Sequence, residues 1–184
     1  MTIRPWSIVD ILRDHALRRP GHIAMVLLPD GETEQTRLSY AQLDAQARMI
    51  AARMQVEGMV GQRVLLMLNT SVDYVVSFLA CLYAGAIAVP LSPTTRASHR
   101  ERVEHVLVDC TPGAAIVHKE DLGAGELGDC RLWTVDQLSE VEHEWTPPET
   151  TPSGGRTTSH WSCCLTGRPS RRGSATRSST RRRG

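Results

Sequence analysis

The chain has 184 residues, a length that fits one ordinary domain. Its net charge of +1 conceals an asymmetry, because residues 153–184 hold eight arginines and no acid; subtracting these from 21 basic residues leaves 13 against 20 acidic residues in the preceding part. Five cysteines without a CxxC spacing argue against a disulfide framework and a structural zinc site, and the charged N-terminus argues against a secretory signal.

The first predicted element is a helix from Ser7 to Arg19. Ser7 is a residue type that caps helices, and Asp10 places a negative charge in the first turn. Pro20-Gly21 ends the pattern. The predicted inner face has three- and four-residue spacing and consists of Ile8, Ile11, Leu12 and His15.

Two short apolar runs follow this helix. His22–Leu28 has the length of a strand, and Thr36–Leu38 returns after the turn signal Pro29-Asp30-Gly31-Glu32. The pattern predicts a hairpin of these two strands.

A second helix is predicted to begin at Ser39. Gln42 stands three residues further on, as in a capping box, and Gly58 provides the stop. The apolar stripe of this helix consists of Leu43, Ala47, Ile50, Ala51 and Met54.

The central part of the chain alternates continuous apolar runs with an apolar helix. Arg63–Leu68 is typical of a strand buried on both faces. Ser71 caps the next helix, which is apolar nearly all round and ends at Gly85. Ala86–Pro93 reads as a second buried strand, and Pro90 is expected to end its ladder pairing because proline has no N–H donor.

Three further elements complete the pattern. Ser98–Cys110 is amphipathic, Gly113–His118 is a strand, and Cys130–Leu138 is a short strand leading into a helical turn. The inner face of the amphipathic helix is expected to contain Val103, Val106, Leu107 and Cys110.

The alternation of strands and helices predicts an α/β fold, in which a layered, mostly parallel sheet has flanking helices. The composition changes at the Pro/Thr/Gly-rich residues 147–155, which we interpret as a linker. The expected organisation is a partial N-terminal domain at residues 1–146, this linker, and a basic, disordered C-terminal tail at residues 156–184.

Two stretches resemble the adenylate-forming, AMP-dependent synthetases and ligases. Leu38–Gln55 (LSYAQLDAQARMIAARMQ) is similar to the first core motif of that family, and Phe78–Pro93 (FLACLYAGAIAVPLSP) to the second. The second stretch and Arg100–Val117 are most similar to the fatty acyl-AMP ligase and long-chain acyl-CoA synthetase branch. The resemblance covers roughly residues 6–150, and both motifs belong to the framework of the fold.

The resemblance implies a parent activity that consumes ATP with Mg²⁺ and converts a fatty or other carboxylic acid into its acyl-adenylate. The acceptor in such enzymes is coenzyme A or the thiol of an acyl carrier protein. The implied fold is the first part of the family's large N-terminal domain. The acyl substrate, its chain length and the choice of acceptor stay open.

The phosphate-binding loop of that family ends in Pro-Lys-Gly, because backbone amides and a lysine hold the ATP phosphates. Thr166-Gly167-Arg168-Pro169 resembles the end of the loop, but Ser170 stands where the lysine belongs. The preceding glycines have no counterpart here. We therefore expect no cofactor-binding residue in this chain and no activity from it alone.

Three interpretations of the basic tail compete. Eight arginines would give affinity for nucleic acid, although Trp161 is the only aromatic residue among them. The tail could instead be an evolved disordered segment, since it has no periodic apolar set. The favoured interpretation is a frameshift, because one lysine against 20 arginines indicates GC-rich DNA, which yields Arg, Gly, Ser, Pro and Thr in a wrong frame.

Single residues give no catalytic or metal site. Seven histidines are scattered without ligand spacing and are expected to be surface or capping residues: His15, His22, His99, His105, His118, His143 and His160. Asp73 is interpreted as a first-turn charge, and Tyr83 as a core residue. Core packing is also expected for Met49, Met54, Met59 and Met67.

The sequence thus predicts a truncated, inactive relative of the fatty acyl-AMP ligases, without a membrane span and located in the cytoplasm. The alternative is a non-enzymatic α/β binding module whose basic tail holds nucleic acid or an acidic partner, although nucleic acid is the less favoured partner. A third possibility is a regulatory remnant that pairs with a full-length homologue.

Overall fold

The structure is a computed structural model and describes residues 7–91, 97–121, 130–140 and 143–148, without the side chains of residues 97–102 and 121. These residues belong to one compact unit, Met1–Thr151. Most of the predicted linker and all of the predicted tail, with Cys163, Cys164 and the Thr166–Ser170 stretch, lie outside the described residues. None of the helices in the described ranges is long and apolar enough to cross a lipid bilayer.

The helices and strands follow the predicted order. In chain order they are α1 (Ile8–Arg18), β1 (Ile23–Leu27), β2 (Thr36–Ser39), α2 (Tyr40–Val56), β3 (Arg63–Met67), α3 (Val72–Ala84), β4 (Ile87–Pro90), α4 (Ala97–Cys110), β5 (Ala114–Val117), a 3₁₀ turn (Lys119–Asp121), β6 (Arg131–Trp133) and α5 (Val135–Ser139). A segment without regular secondary structure at residues 143–148, which we call the strap, comes last among the described residues.

Side-chain caps determine where the helices begin. Ser7 and Ser39 accept hydrogen bonds from the backbone N–H groups three residues on, and the side chains of Asp10 and Gln42 return the bond to the cap. The caps predicted at Ser7 and Ser39 are therefore confirmed as capping boxes, and the cap predicted at Ser71 is confirmed by the hydrogen bond that its side chain accepts from the N–H of Tyr74. Thr134 forms a third such box at the start of α5.

The strands form two sheets. β1 and β2 pair antiparallel, which confirms the predicted hairpin. The other four strands form a parallel sheet in the order β4-β3-β5-β6. The predicted α/β class, with a parallel sheet and flanking helices, is confirmed.

Successive residues of the central strands point to opposite faces of the sheet, as the pleat requires. On β3, Val64 and Leu66 join a core cluster with α1, α2, α3 and α5, whereas Leu65 and Met67 join a second cluster with α4. Every one of these four side chains is buried, which confirms the prediction of a strand covered on both faces.

The first helix departs from its predicted inner face. Leu12 is buried, but Ile8 and Ile11 are 54% and 44% exposed. The spacing argument fails here because α1 packs on α2 and α3 at one end of the fold and buries only a narrow stripe.

Strand β4 also differs from the prediction, because it lies at an edge of the sheet and is not buried on both faces. Pro90 does not end the ladder. The N–H groups of Ile87 and Leu91 donate to Gln62 and Leu66 of the neighbouring strand segment at 2.8 and 2.9 Å. By alternation, the nitrogen of Pro90 faces away from β3, where a missing donor costs no ladder bond.

Candidate functional site

The carboxyl edge of the parallel sheet is where a ligand of an open α/β sheet is expected. From β3 the chain passes to β4 on one side, and from β4 it crosses to β5 on the other side of β3. The crevice between the carboxyl ends of β3 and β5 is therefore the topological switch point, at which such folds bind ligands.

A histidine links the two strand ends across this crevice. The Nε2 atom of His118, which follows β5, accepts a hydrogen bond of 3.0 Å from the backbone N–H of Asn69, which follows β3. An accepting Nε2 places the proton of the neutral ring on Nδ1. His118 therefore holds one loop against the other, a role that the general expectation of a surface or capping histidine did not specify.

The described residues around the crevice carry charges of both signs. Lys119 is a positive charge beside Glu120, and Asp73 places a negative charge in the first turn of α3. The first-turn position predicted for Asp73 is thus confirmed. Leu68–Ser71 after β3 and His118–Asp121 after β5 contain no glycine, whereas Gly123, Gly125 and Gly128 further along the second connection lie outside the described residues. We derive no reaction step through ATP or Mg²⁺ from these residues.

The two framework motifs meet in a buried polar contact between α2 and α3. The hydroxyl of Tyr83 donates to Oδ1 of Asp44 over 2.7 Å, and Arg48 Nε lies 2.8 Å from Oδ2 of the same carboxylate. Tyr83 is fully buried, as predicted, and Asp44 is 7% exposed. The sequence indicated both motifs but not this contact, because Asp44 and Tyr83 lie far apart in the chain.

Burial, assisted by the hydrogen bond to Asp44, raises the pKa of Tyr83 well above its usual range. Burial also raises the pKa of the Cys81 thiol to about 12 and that of the Cys130 thiol to about 11. Groups that hold their protons at neutral pH are weak nucleophiles and bases. Burial thus lowers the reactivity of these three residues.

Gly85 is required at the end of α3 for two reasons. Its φ of 74° lies in the left-handed region, and the N–H of Ala86 returns to the carbonyl of Cys81 over 2.8 Å to close the helix. A side chain there would also place its Cβ 3.0 Å from Cβ of Pro148 in the strap. The sequence predicted the first reason and missed the second.

The described residues contain no group of three His, Cys, Asp or Glu side chains that could hold a metal ion. The methionines predicted for the core lie there, with Met54, Met59 and Met67 buried and Met49 partly buried. The described cysteines form no disulfide; Cys81 and Cys110 are buried, and Cys130 is partly buried.

Comparison with known proteins places this framework in a family. The family model of AMP-binding enzymes matches residues 12–163. This match extends beyond the resemblance noted in the sequence and includes the first residues of the predicted tail.

Individual relatives are fatty-acid ligases and adenylating enzymes. The long-chain-fatty-acid–AMP ligase FadD26 of Mycobacterium marinum is 34% identical over 128 residues, which are 67% of this chain and 22% of the relative. A 4-hydroxyphenylalkanoate adenylyltransferase of the same species is 32% identical over 160 residues, 77% of this chain and 25% of the relative.

Solved structures agree with these relatives. The crystal structure of a fatty acid AMP ligase from Legionella pneumophila matches with a TM-score of 0.68 and 29% identity, over 77% of this chain and 25% of that protein. The chain thus spans about a quarter of the length of the proteins it matches. Because the family model matches more than half of its residues, this chain belongs to the AMP-binding enzymes.

Proposed function

We propose that the chain corresponds to the N-terminal part of a fatty acyl-AMP ligase. In the parent reaction a fatty-acid carboxylate attacks the α-phosphorus of ATP, an acyl-adenylate forms and pyrophosphate leaves. The observation that carries this proposal is the similarity to the Legionella fatty acid AMP ligase in both fold and sequence. The acyl group would then pass to a carrier-protein thiol or to coenzyme A, in the cytoplasm.

We also propose that this chain alone does not catalyse the reaction. The support is chemical: Ser170 stands where the family's phosphate loop has lysine, and the glycines that precede that lysine in the family have no counterpart here. The contribution of this chain to a complete enzyme would be the framework that the Asp44–Tyr83 contact and Gly85 hold in place.

Carboxylate-dependent exchange of pyrophosphate into ATP tests this directly. The purified chain is expected to show no exchange with long-chain fatty acids, while the Legionella ligase under identical conditions provides the positive control. Exchange above the protein-free background would contradict the proposed inactivity.

A frameshift explains the basic tail under this proposal, and the gene can be resequenced to test it. All three frames are translated downstream of the codon for Pro147. A Thr/Ser/Gly-rich loop ending in Pro-Lys-Gly in another frame would support the frameshift. If no frame encodes such a loop, the basic tail is genuine and the binding-module alternative becomes the leading interpretation.

A further inference from the structure

The strap is held in the manner of a bound peptide. Its first four residues alternate between a partly buried and an exposed environment: His143 and Trp145 are partly buried, and Glu144 and Thr146 are exposed. The surface that receives it comes from three helices and consists of Arg13, Gln55, Tyr83 and Gly85, which we call the strap groove.

Trp145 is the anchor of the strap. Its indole Nε1 donates to the backbone carbonyl of Tyr83 over 2.9 Å, and the two rings lie 5.4 Å apart. The guanidinium of Arg13 lies 4.8 Å from the centre of the indole ring, within the range of a cation–π contact. The groove therefore offers a hydrogen-bond acceptor for the indole nitrogen, and the Tyr83 ring and the Arg13 guanidinium both lie beside the indole ring. This combination suits tryptophan.

The residue after the anchor is bound through its backbone. The side-chain amide of Gln55 donates to the carbonyl of Thr146 over 2.7 Å and accepts from the N–H of Thr146 over 3.3 Å. Such a two-way amide contact binds an extended backbone without regard to the side chain it carries. The exposed side chain of Thr146 is consistent with that.

Pro148 completes the contact at the end of α3. Its Cβ occupies the space that a side chain on Gly85 would need, and Val60 borders the same position. Pro147 and Pro148 restrict the free strap to extended conformations, so little conformational entropy is lost when it docks. Aromatic anchor, backbone amide and proline together resemble the recognition of a proline-containing peptide.

We propose that the strap groove is a peptide-recognition site whose occupant is the chain's own Trp145-Thr146-Pro147-Pro148 segment. The groove selects tryptophan through Tyr83 and Arg13 and binds the peptide backbone through Gln55. It has space for proline because residue 85 is glycine. The groove holds this peptide whether or not the chain belongs to an active ligase.

The first test measures the strap within the full chain. The Trp145 indole N–H is identified by NMR as the signal that Trp145→Phe removes, and its hydrogen exchange is expected to be slow. Gln55→Ala should accelerate that exchange by about tenfold, as the loss of a hydrogen-bonded contact predicts. Gln46→Ala, on the same helix, is the matched control and should leave it unchanged.

Cleavage after Glu144 by a glutamate-specific protease gives a second measure in the same samples. The bond should become more accessible in Gln55→Ala, while the amides of β5 keep their exchange rates. Unchanged indole exchange and unchanged cleavage in Gln55→Ala would overturn the proposal, because the strap would then be held without the groove.

The second test supplies the peptide from outside. A fluorescent peptide with the sequence of residues 143–149 should bind saturably to the full chain carrying Trp145→Ala, whose own strap has lost its anchor. The wild-type chain should not bind it, since its groove is occupied. Equal binding to the Trp145→Ala/Gln55→Ala double variant, or no binding to Trp145→Ala, would overturn peptide recognition by the groove.

Discussion

The two faces of the parallel sheet are covered very differently. On one face, the buried side chains of the sheet form the larger core cluster together with residues of α1, α2, α3 and α5. The other face packs against α4, which contributes Val103 and Cys110 as buried residues together with partly buried Val106 and Leu107. We call these the four-helix face and the α4 face.

The strands themselves do not show this difference. Leu65 and Leu66 are neighbours on β3, both have no exposed surface, and they point to opposite faces. Burial of a single side chain is therefore a poor guide to how firmly its surroundings are held. Among the described residues, α4 is the one helix on its face, and a single covering helix can adjust its position more readily than four packed helices, because fewer contacts oppose the movement.

The sharpest test of this difference truncates the two leucines in turn. Leu66→Ala, on the four-helix face, is expected to lower the free energy of unfolding by about 3–5 kcal/mol, since the packed helices cannot close the cavity. Leu65→Ala should cost less, about 2–3 kcal/mol, because α4 can move inward. Urea denaturation measures both, and an equal or larger loss from Leu65→Ala would contradict the comparison.

A smaller effect is expected from the buried polar contact on the four-helix face. Tyr83→Phe removes the hydroxyl that donates to Asp44 and should cost about 1.5–3 kcal/mol, the range for a hydrogen bond to a charged group. Tyr74→Phe, on the same helix, is the control with a partly exposed ring. Thermal unfolding compares them, and equal losses would mean that the Asp44 contact adds nothing to stability.

Adding Asp44→Asn to Tyr83→Phe shows whether the two side chains act together. Their combined loss should be smaller than the sum of the single losses, because each substitution already weakens the same contact. Additive losses would indicate that Arg48 alone satisfies the carboxylate.

The sequence predicted the four-helix face well because its signals are local. The capping boxes at Ser7 and Ser39 lie within four residues, and the stripe of α2 from Leu43 to Met54 is buried as expected. The left-handed Gly85 followed from its place after an apolar helix. Such features depend on near neighbours in the chain and need no knowledge of the packing.

The features that the sequence did not predict depend on contacts between distant residues. The Asp44–Tyr83 hydrogen bond and the Trp145–Tyr83 contact join positions that are 39 and 62 residues apart. The prediction that Pro90 ends the ladder was wrong because the apolar run does not reveal whether a strand lies at the centre or at the edge of a sheet. The crevice at His118 needed the strand order, which the alternation of helices and strands leaves undetermined.

The last predicted effect, which is absent at neutral pH, compares one thiol from each face as the pH rises. The folded state holds the proton of Cys81 up to about pH 12, whereas the unfolded thiol loses it near its usual value of 9.0. Stability from this group is therefore complete below pH 9.0 and is lost towards pH 12, with a slope of at most about 1.4 kcal/mol per pH unit.

Cys81→Ala should accordingly flatten the decline in unfolding free energy above pH 9.0. Cys130, which packs against the α4 cluster and is only half-buried, is the matched thiol, and its pKa of about 11 ends its contribution sooner. Cys130→Ala should therefore flatten the decline less. If the two variants have the same pH dependence, the thiol on the four-helix face is no better shielded from water than the one beside α4.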